Sequence, residues 1–329
     1  MTIGQRIKQA RKASQKSLRA LAEEVGVSAM AISKYERNEV VPSSSVVIRL
    51  SHSMNVPVDY FFRPAQEQIE VQAFRKHASL GKKDQEAIQA RIQEWVERYF
   101  EIEDLLFVNS PHFELPRFPV NSFEDVEAAA QELRQAWDLG ADGIDNLIEL
   151  LEDRGIKVGQ VDGFEDFDAC TFLVKGEPVM VTRSNIPGDR QRFNLAHELG
   201  HLVLDVPEGL DQEKAAYRFA GAFLVPAETA RFELGEKRTG LEISELYMLK
   251  RKYGLSMQAW IYRARDLGII SENTFQVLCK RFRRYGWRRQ EPGANFAPPN
   301  SLQVAFLAFP FRHPASPATL LRPPRAKAR

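Results

Sequence analysis

Two histidines and a glutamate in the segment RFNLAHELGHLVLD have the spacing of a catalytic metal site. Glu198 follows His197 directly, and His201 lies four residues after His197. On a helix each residue turns about 100°, so the two imidazoles share one face at a separation of about 5–6 Å. That separation suits two nitrogens bound to one zinc ion at about 2.0–2.1 Å. Glu198 lies off this line, where its carboxylate can reach a water molecule at the metal without being a ligand.

The alternative for this pair is two histidines that face solvent or are satisfied within the core. The HExxH spacing, on an amphipathic helix that follows a hairpin, favours the metal site. Gly200 lies inside the same helix and costs about 1 kcal/mol of helix stability relative to alanine. We expect this glycine to leave room for a metal or a substrate.

Two histidines need a third ligand to hold zinc well. Asp205 continues the same helix face, but three ligands along one helix do not close easily around a tetrahedral ion. Glu213 lies in the first turn of a second predicted helix, residues 212–224, and can approach the metal from another direction. A carboxylate that only interacts with the helix dipole is the alternative for Glu213.

The elements that must position these residues are mainly helices with one small β-sheet, so the expected fold class is α+β. Apolar residues at steps of three and four predict a long helix within residues 66–108. Ser122 is the predicted N-cap of another helix. The segment TFLVKGEPVMVT predicts a β-hairpin that turns at Lys175 and Gly176. Helices are then expected from about residue 190 to residue 286.

The N-terminal module is basic, with ten Lys or Arg and five Asp or Glu in residues 1–64. In the segment LRALAEEVGVSAMAISKYE, an apolar stripe marks a helix that ends at Gly26, and Ser28 caps a second helix. Gly26 supplies the tight turn of a helix-turn-helix. With its flanking segments, the module resembles the lambda-repressor-like (XRE, Cro/C1) DNA-binding domain over residues 3–62.

This resemblance implies contacts with double-stranded DNA, because the N-terminal part of the second helix enters the major groove. The side chains expected at base edges are Ala29, Met30, Ser33 and Lys34. Those better placed for phosphates are Ser28, Arg37 and Asn38. A merely solvated charged face is the alternative for Lys34 and Arg37. Such domains usually read two half-sites as dimers, so the resemblance also implies a homodimer.

The peptidase segment carries a second resemblance. RQRFNLAHELGHLVLD followed by EKAAYRFAGAFLVP resembles the ImmA/IrrE family of zinc peptidases, a likeness that extends over about residues 66–292. It implies a zincin-like domain with Zn²⁺ held by His197, His201 and Glu213, and Glu198 as the catalytic carboxylate. Tyr217 stands where the family often has Asn. This departure concerns a residue that contacts the metal ligands and leaves the ligand set itself unchanged. The implied chemistry is amide hydrolysis, with Glu198 moving protons between water and the leaving amine.

The sequence divides into four predicted segments. They are an XRE-type helix-turn-helix domain at 1–65, a helical linker at 66–115, an ImmA/IrrE-like peptidase domain at 116–290 and a disordered, basic, proline-rich tail at 291–329. The chain has no run of eighteen apolar residues and only two cysteines. We therefore expect no membrane partner, no disulfide framework, and a location in the cytoplasm, with nucleoid association when DNA is bound.

Together these features predict a DNA-binding transcriptional regulator with a zinc-dependent endopeptidase domain. Its expected substrate is a repressor or antitoxin-like protein, in a stress response or in the control of mobile elements. The alternative is a non-proteolytic helix-turn-helix regulator, or an antitoxin component, whose peptidase-like domain senses a ligand or partner. The intact HExxH with Glu213 favours the enzyme, because a pure scaffold would not need Glu198.

Overall fold

The structure is a computed structural model that describes residues 2–63, 81–106, 115–174, 176–288 and 290–292. These residues belong to two compact units, residues 2–63 to the first and all those from 81 onward to the second. The predicted disordered tail lies outside the described residues from position 293 onward. Within the described ranges, no helix combines the length and apolar character needed to cross a membrane.

The first unit is entirely helical. Its elements are α1 (Ile3–Ala13), α2 (Leu18–Val25), α3 (Ala29–Glu36), α4 (Ser44–Met54) and a 3-10 helix, Val58–Phe62. Side-chain oxygens of Thr2, Ser17 and Ser28 accept hydrogen bonds from backbone N–H groups in the first turns of α1 to α3. Gly26 ends α2 with a φ of 69°, a left-handed conformation that glycine adopts without strain. The predicted helix-turn-helix is therefore formed by α2 and α3.

The second unit contains a three-stranded sheet that separates two apolar layers. Its strands are β2 (Lys157–Val161), β3 (Ala169–Val174) and β4 (Glu177–Arg183), in the order β2-β4-β3. Strands β3 and β4 pair antiparallel, as the predicted hairpin requires, whereas β2 runs parallel to β4. A separate short pair joins β1 (Phe118–Pro119) to β5 (Leu204–Asp205). Because side chains alternate along β4, Met180 enters one core while Val179 and Val181 enter the other.

Helix α5 (Lys82–Leu106) covers one face of this sheet. Its buried residues share a core with β2 to β4; on the helix they are Ala87, Ile88, Ile92, Val96 and Phe100. The indole of Trp95 lies against Gly159 of β2, so close that an added Cβ would be 3.0 Å from the ring. The segment predicted as a helical linker is thus a packed layer of the second unit over the length of α5.

The other face of the sheet packs on the remaining helices. These are α6 (Phe123–Ala136), α7 (Leu147–Asp153), α8 (Gly188–Val203), α9 (Gln212–Leu224), α10 (Ala227–Leu234), α11 (Ile243–Tyr253), α12 (Met257–Asp266) and α13 (Glu272–Arg284). Glu127 of α6 accepts hydrogen bonds from Arg218 of α9 and from Arg263 of α12. This ionic link fixes α9 against its neighbours, with the Arg263 side chain only 1% exposed.

Glu291 belongs to the packed unit, although the predicted boundary assigns it to the tail. Its carboxylate accepts hydrogen bonds from the backbone N–H groups of Met257 and Gln258, at 2.9 and 2.8 Å, and so caps α12. It also pairs with Lys250 at 2.9 Å, and Lys250 pairs with Asp189 in the first turn of α8 at 3.0 Å. The chain after α13 therefore returns to support the start of α8.

The contact between Trp95 and Gly159 gives a stability test of the α5 layer. Gly159→Ala should destabilise the second unit by about 1–3 kcal/mol, because the new methyl group forces the indole or the strand to move. All four tryptophans, at positions 95, 137, 260 and 287, lie in this unit. Urea unfolding followed by tryptophan fluorescence therefore reports on it alone.

The matched control is Gly240→Ala, because an added Cβ there meets no heavy atom within 4 Å. We expect this control to stay within about 0.5 kcal/mol of wild type. Equal unfolding midpoints for the two variants would contradict the packing described for α5.

Candidate metal centre and DNA interface

Helix α8 brings the two histidines of the HExxH segment together on one face. Leu195, Ala196 and Leu199 are at most 1% exposed and hold the opposite face in the core. The Nε2 atoms of His197 and His201 lie 3.2 Å apart, and both side chains are largely buried. The predicted common face of the two imidazoles is therefore present in the structure.

Helix α9 supplies the carboxylate of Glu213. The helix begins after Asp211, whose Oδ1 accepts a hydrogen bond from the backbone N–H of Lys214 at 3.1 Å. The Oε2 of Glu213 lies 3.3 Å from His197 Nε2, and its Oε1 lies 3.4 Å from His201 Nε2. Glu213 is 62% exposed, so the cluster opens toward solvent on this side.

The three side chains fit a tetrahedral zinc ion. Ligand atoms about 2.0–2.1 Å from zinc, at tetrahedral angles, lie about 3.3 Å from one another. The two Nε2 atoms are 3.2 Å apart, and each has one Glu213 oxygen at a similar distance, Oε2 at 3.3 Å from His197 and Oε1 at 3.4 Å from His201. Among the described residues, His197, His201 and Glu213 are the group of His, Cys, Asp or Glu that could share one metal ion. Asp205, the alternative ligand, lies in β5 outside this group.

Gly200 has a different role from the one the sequence suggested. A Cβ at this position would lie 3.1 Å from the Phe219 ring, 3.2 Å from Ala216 Cα and 3.4 Å from Ala216 O. Two of these atoms belong to the backbone of α9. The space at Gly200 is thus filled by the neighbouring helix, and the glycine allows α8 and α9 to approach closely enough for Glu213 to reach the histidines.

The carboxylate of Glu198 contacts the sheet. Its Oε2 accepts a hydrogen bond of 2.7 Å from the hydroxyl of Thr171, and the residue is 9% exposed. Thr171 lies on β3, one of the two edge strands of the three-stranded sheet. Thr171 could not be identified from the sequence, because its hydroxyl lies in an ordinary strand pattern and only the tertiary fold brings it to Glu198.

Tyr217 lies beside the ligands on the solvent side. Its ring centroid is 4.3 Å from that of His197 and 6.1 Å from that of Phe193, on which it stacks. Burial raises the pKa of Tyr217, and the Glu213 carboxylate raises this pKa further. The phenol is therefore kept protonated, as a hydrogen-bond donor next to the candidate metal centre. This is the position at which the chain departs from the Asn that the family often carries.

Cys170 precedes Thr171 on β3 and is buried in the core under α5. Burial raises its pKa well above the usual value, and the Glu198 carboxylate adds to this effect. Because a thiol held in its protonated form is a poor nucleophile and a poor metal ligand, Cys170 acts as a small core residue.

The predicted DNA-contact residues lie on α3 and in the turn that follows it. Met30 is 63% exposed and Lys34 is exposed, whereas Ala29 is half-buried against the core of the first unit. Arg37 donates hydrogen bonds to Ser33 at 2.5 Å and to Glu39 at 2.6 Å. These contacts place the Arg37 guanidinium along the outer surface of α3.

Two further residues predicted to touch phosphates also have structural roles. The Ser28 hydroxyl accepts a hydrogen bond from the backbone N–H of Ala31 and caps α3. The Asn38 side chain accepts a hydrogen bond of 3.0 Å from the backbone N–H of Gly4, which ties the end of α3 to α1. The direction of α3 in the first unit therefore depends on both residues.

Comparisons with known proteins agree with both predicted resemblances. The HTH_3 helix-turn-helix family matches residues 7–61, and the Peptidase_M78 family, described as an IrrE N-terminal-like domain, matches residues 155–265. An uncharacterised transcriptional regulator in the ATPase CF(0) region of Rhodospirillum rubrum is 40% identical over 60 residues, which are 18% of this chain and 56% of that protein. The chain thus spans about half the length of this curated relative.

A solved structure, the SinR protein/SinI protein complex, is also similar to part of this chain. The two sequences are 29% identical, and the TM-score is 0.18. The match covers 32% of this chain and 93% of the chain in that structure. The two family matches confirm the predicted resemblances to the XRE and ImmA/IrrE families. Residues 7–61 thus match a helix-turn-helix domain of the XRE type, and residues 155–265 match an ImmA/IrrE-like domain of the Peptidase_M78 family.

Proposed function

We propose that this protein is a transcriptional regulator that binds double-stranded DNA as a homodimer and cleaves a protein substrate with a zinc-dependent endopeptidase site. The substrate is a repressor or an antitoxin-like protein, and the setting is a stress response or the control of mobile elements. The observation that carries the enzymatic part is the convergence of His197, His201 and Glu213, whose ligand atoms all lie within 4.8 Å of one another; the helix of the two histidines also carries the carboxylate of Glu198.

The residues divide the work of amide hydrolysis among them. His197, His201 and Glu213 would hold Zn²⁺, which supplies Lewis acidity and makes water acidic enough to react near neutral pH. Glu198 takes the proton of the attacking water and later gives it to the leaving amine. The hydrogen bond from the Thr171 hydroxyl to Oε2 of Glu198 holds this carboxylate in a fixed direction.

The position of the sheet supports a peptide substrate. Strand β3 lies at the sheet edge, and its Thr171 contacts Glu198 directly. An extended peptide that pairs with an edge strand is held by its backbone, with little demand on sequence. Such pairing would bring the scissile amide alongside Glu198 and the ligand cluster. The exposed side of Glu213 leaves this approach open.

The ligand set makes a direct prediction for metal content. Purified wild-type protein, loaded with zinc and desalted, should retain one zinc ion per chain. Glu213→Gln should lower zinc affinity by more than about tenfold, because a ligand oxygen with its charge is lost. Inductively coupled plasma mass spectrometry gives the stoichiometry, and competition with a chelating dye gives the affinity.

Glu208→Gln is the matched control, since Glu208 is an exposed acid in the loop before α9 and lies outside the ligand group. It should bind zinc as wild type does. Unchanged zinc affinity in Glu213→Gln would rule out Glu213 as a ligand.

The catalytic carboxylate is tested by Glu198→Gln. This variant should retain zinc but cleave its substrate about 10²–10⁴ times more slowly, because general acid–base catalysis is lost. Cleavage is measured by mass spectrometry of new N-termini in cell lysates incubated with wild type or variant, followed by kinetics on the purified substrate. Equal cleavage by the zinc-loaded variant would rule out Glu198 as the acid–base residue, and no cleavage by the zinc-loaded wild type would favour the non-proteolytic sensor.

The contact between Thr171 and Glu198 predicts a specific kinetic signature. Thr171→Val keeps the side-chain shape but removes the donor, and a hydrogen bond to a charged group contributes about 1.5–3 kcal/mol. We expect kcat to fall about 10- to 100-fold, with KM and zinc content unchanged. Thr171→Ser should restore most of the rate. A rise in KM alone would show that Thr171 contacts the substrate and does not position Glu198.

A further inference from the structure

A strongly basic surface lies at the C-terminal end of α13. It consists of five exposed side chains: Lys280, Arg281, Arg283, Arg284 and Arg288. Within the described part of the chain, none of the five forms an ion pair. Other arginines of the same unit do pair with acids, as Arg91 does with Asp162 at 2.9 Å and Arg231 with Glu236 at 2.6 Å. We call these five residues the α13 basic surface.

The helix holds this surface in a fixed direction. Its buried side chains, Phe275, Leu278 and Phe282, face the core. At 100° per residue, the positions between them project outward, and these carry the lysine and arginines. The apolar face of α13 is thus already used in packing, and the basic face is left to solvent.

A C-terminal capping motif orders the end of the surface. Gly286 has a φ of 72°, its N–H donates to Arg283 O at 3.1 Å, and the Trp287 N–H donates to Phe282 O at 3.0 Å. This is the Schellman pattern, and its apolar contact is the Trp287 ring against Phe282, with centroids 5.3 Å apart. The capping turn therefore directs the chain back toward the helix and keeps Arg288 close to it.

The amount of charge exceeds what the helix itself requires. A helix C-terminus carries about half a negative charge, which one cation can offset. Five cations within nine residues repel one another, and pairs four residues apart, such as Lys280 with Arg284, are unfavourable on a helix. A polyanion at this surface would remove the repulsion and release its own counterions.

The side-chain types fit a phosphate backbone. Arginine forms paired hydrogen bonds to phosphate oxygens, and tyrosine hydroxyls are also common phosphate contacts. Tyr285 lies among the arginines, is 53% exposed, and stacks on Trp287 with centroids 4.8 Å apart. A membrane surface fits less well, because interfacial helices insert an apolar face and that of α13 is buried.

We propose that the α13 basic surface binds the phosphate backbone of duplex DNA, as a second contact besides that of α3. Duplex DNA is the polyanion to expect here because the same chain carries a helix-turn-helix DNA-binding domain. The proposal rests on the DNA-binding part of the proposed function and is independent of peptidase activity. It predicts sequence-independent affinity that responds strongly to salt.

The test measures binding of the full-length protein to a fluorescent random-sequence DNA duplex by anisotropy, over a series of NaCl concentrations. The variant is Arg281→Gln/Arg283→Gln/Arg284→Gln. We expect it to bind more weakly, with a slope of log K against log [NaCl] that is shallower by about 2–3, since each phosphate that is no longer neutralised lowers the slope by about 0.9. Circular dichroism and tryptophan fluorescence verify that the variant is folded.

The control is Lys82→Gln/Lys83→Gln/Arg251→Gln, which removes the same charge from exposed positions of the same unit. It should keep the wild-type slope. Equal slopes for the two triple variants would overturn the proposal. It would also be overturned if the α13 variant lost binding to phosphatidylserine vesicles while its DNA binding stayed unchanged.

A Lys34→Gln variant separates this proposal from the role of the first unit. If Lys34→Gln weakens binding and the α13 variant behaves like its control, the helix-turn-helix contact stands and the second surface fails. If only the α13 variant weakens binding, the second surface stands and Lys34 makes no contribution to sequence-independent binding. No duplex binding by the wild type at any salt concentration would overturn both.

Discussion

Helices α8 and α9 cross at a separation that depends on the missing side chain of Gly200. A methyl group there would lie only 3.2 Å from the Ala216 Cα, which is closer than ordinary van der Waals contact. Backbone atoms cannot yield as a flexible side chain can, so a larger residue would push α9 away. Glu213 would then leave the histidines. A helix cost of about 1 kcal/mol for the glycine is offset by the packing and ligand geometry that it permits.

The rest of the second unit holds this helix pair in place and completes the site. The ionic link from Glu127 to Arg218 and Arg263 fixes α9, and Glu291 with Lys250 supports the start of α8. The sheet contributes the Thr171 hydroxyl from its edge, which contacts the carboxylate of Glu198, the proposed acid–base residue. The proposed ligands on α8 face Glu213 of α9 instead.

Much of the candidate site could be predicted from the sequence because its signals are local. The spacing of His197, Glu198 and His201 depends only on helix geometry, and the predicted α9 has the bounds Gln212–Leu224 that the structure shows. The helix-turn-helix was also predictable, from a glycine turn and a serine cap. The predicted partners and substrate of the protein remain proposals.

The features that sequence analysis missed are tertiary. Thr171 meets Glu198 across 27 positions of the chain, and nothing in a β-strand pattern marks one hydroxyl among others. The role of Gly200 could not be assigned without knowing which helix lies against it. Helix α5 was expected to link two domains, but its apolar stripe covers the sheet. In each case, the amino-acid pattern identified an element, and its packing partner decided what the element does.

X-ray absorption spectroscopy at the zinc edge, on the full-length protein loaded with one equivalent of zinc, tests the metal centre most directly. Ligation by His197, His201 and Glu213 predicts a first shell of nitrogen and oxygen at about 2.0–2.1 Å, with the multiple scattering of two imidazoles and no sulfur. A shell containing sulfur at about 2.3 Å, or a single imidazole, would contradict it.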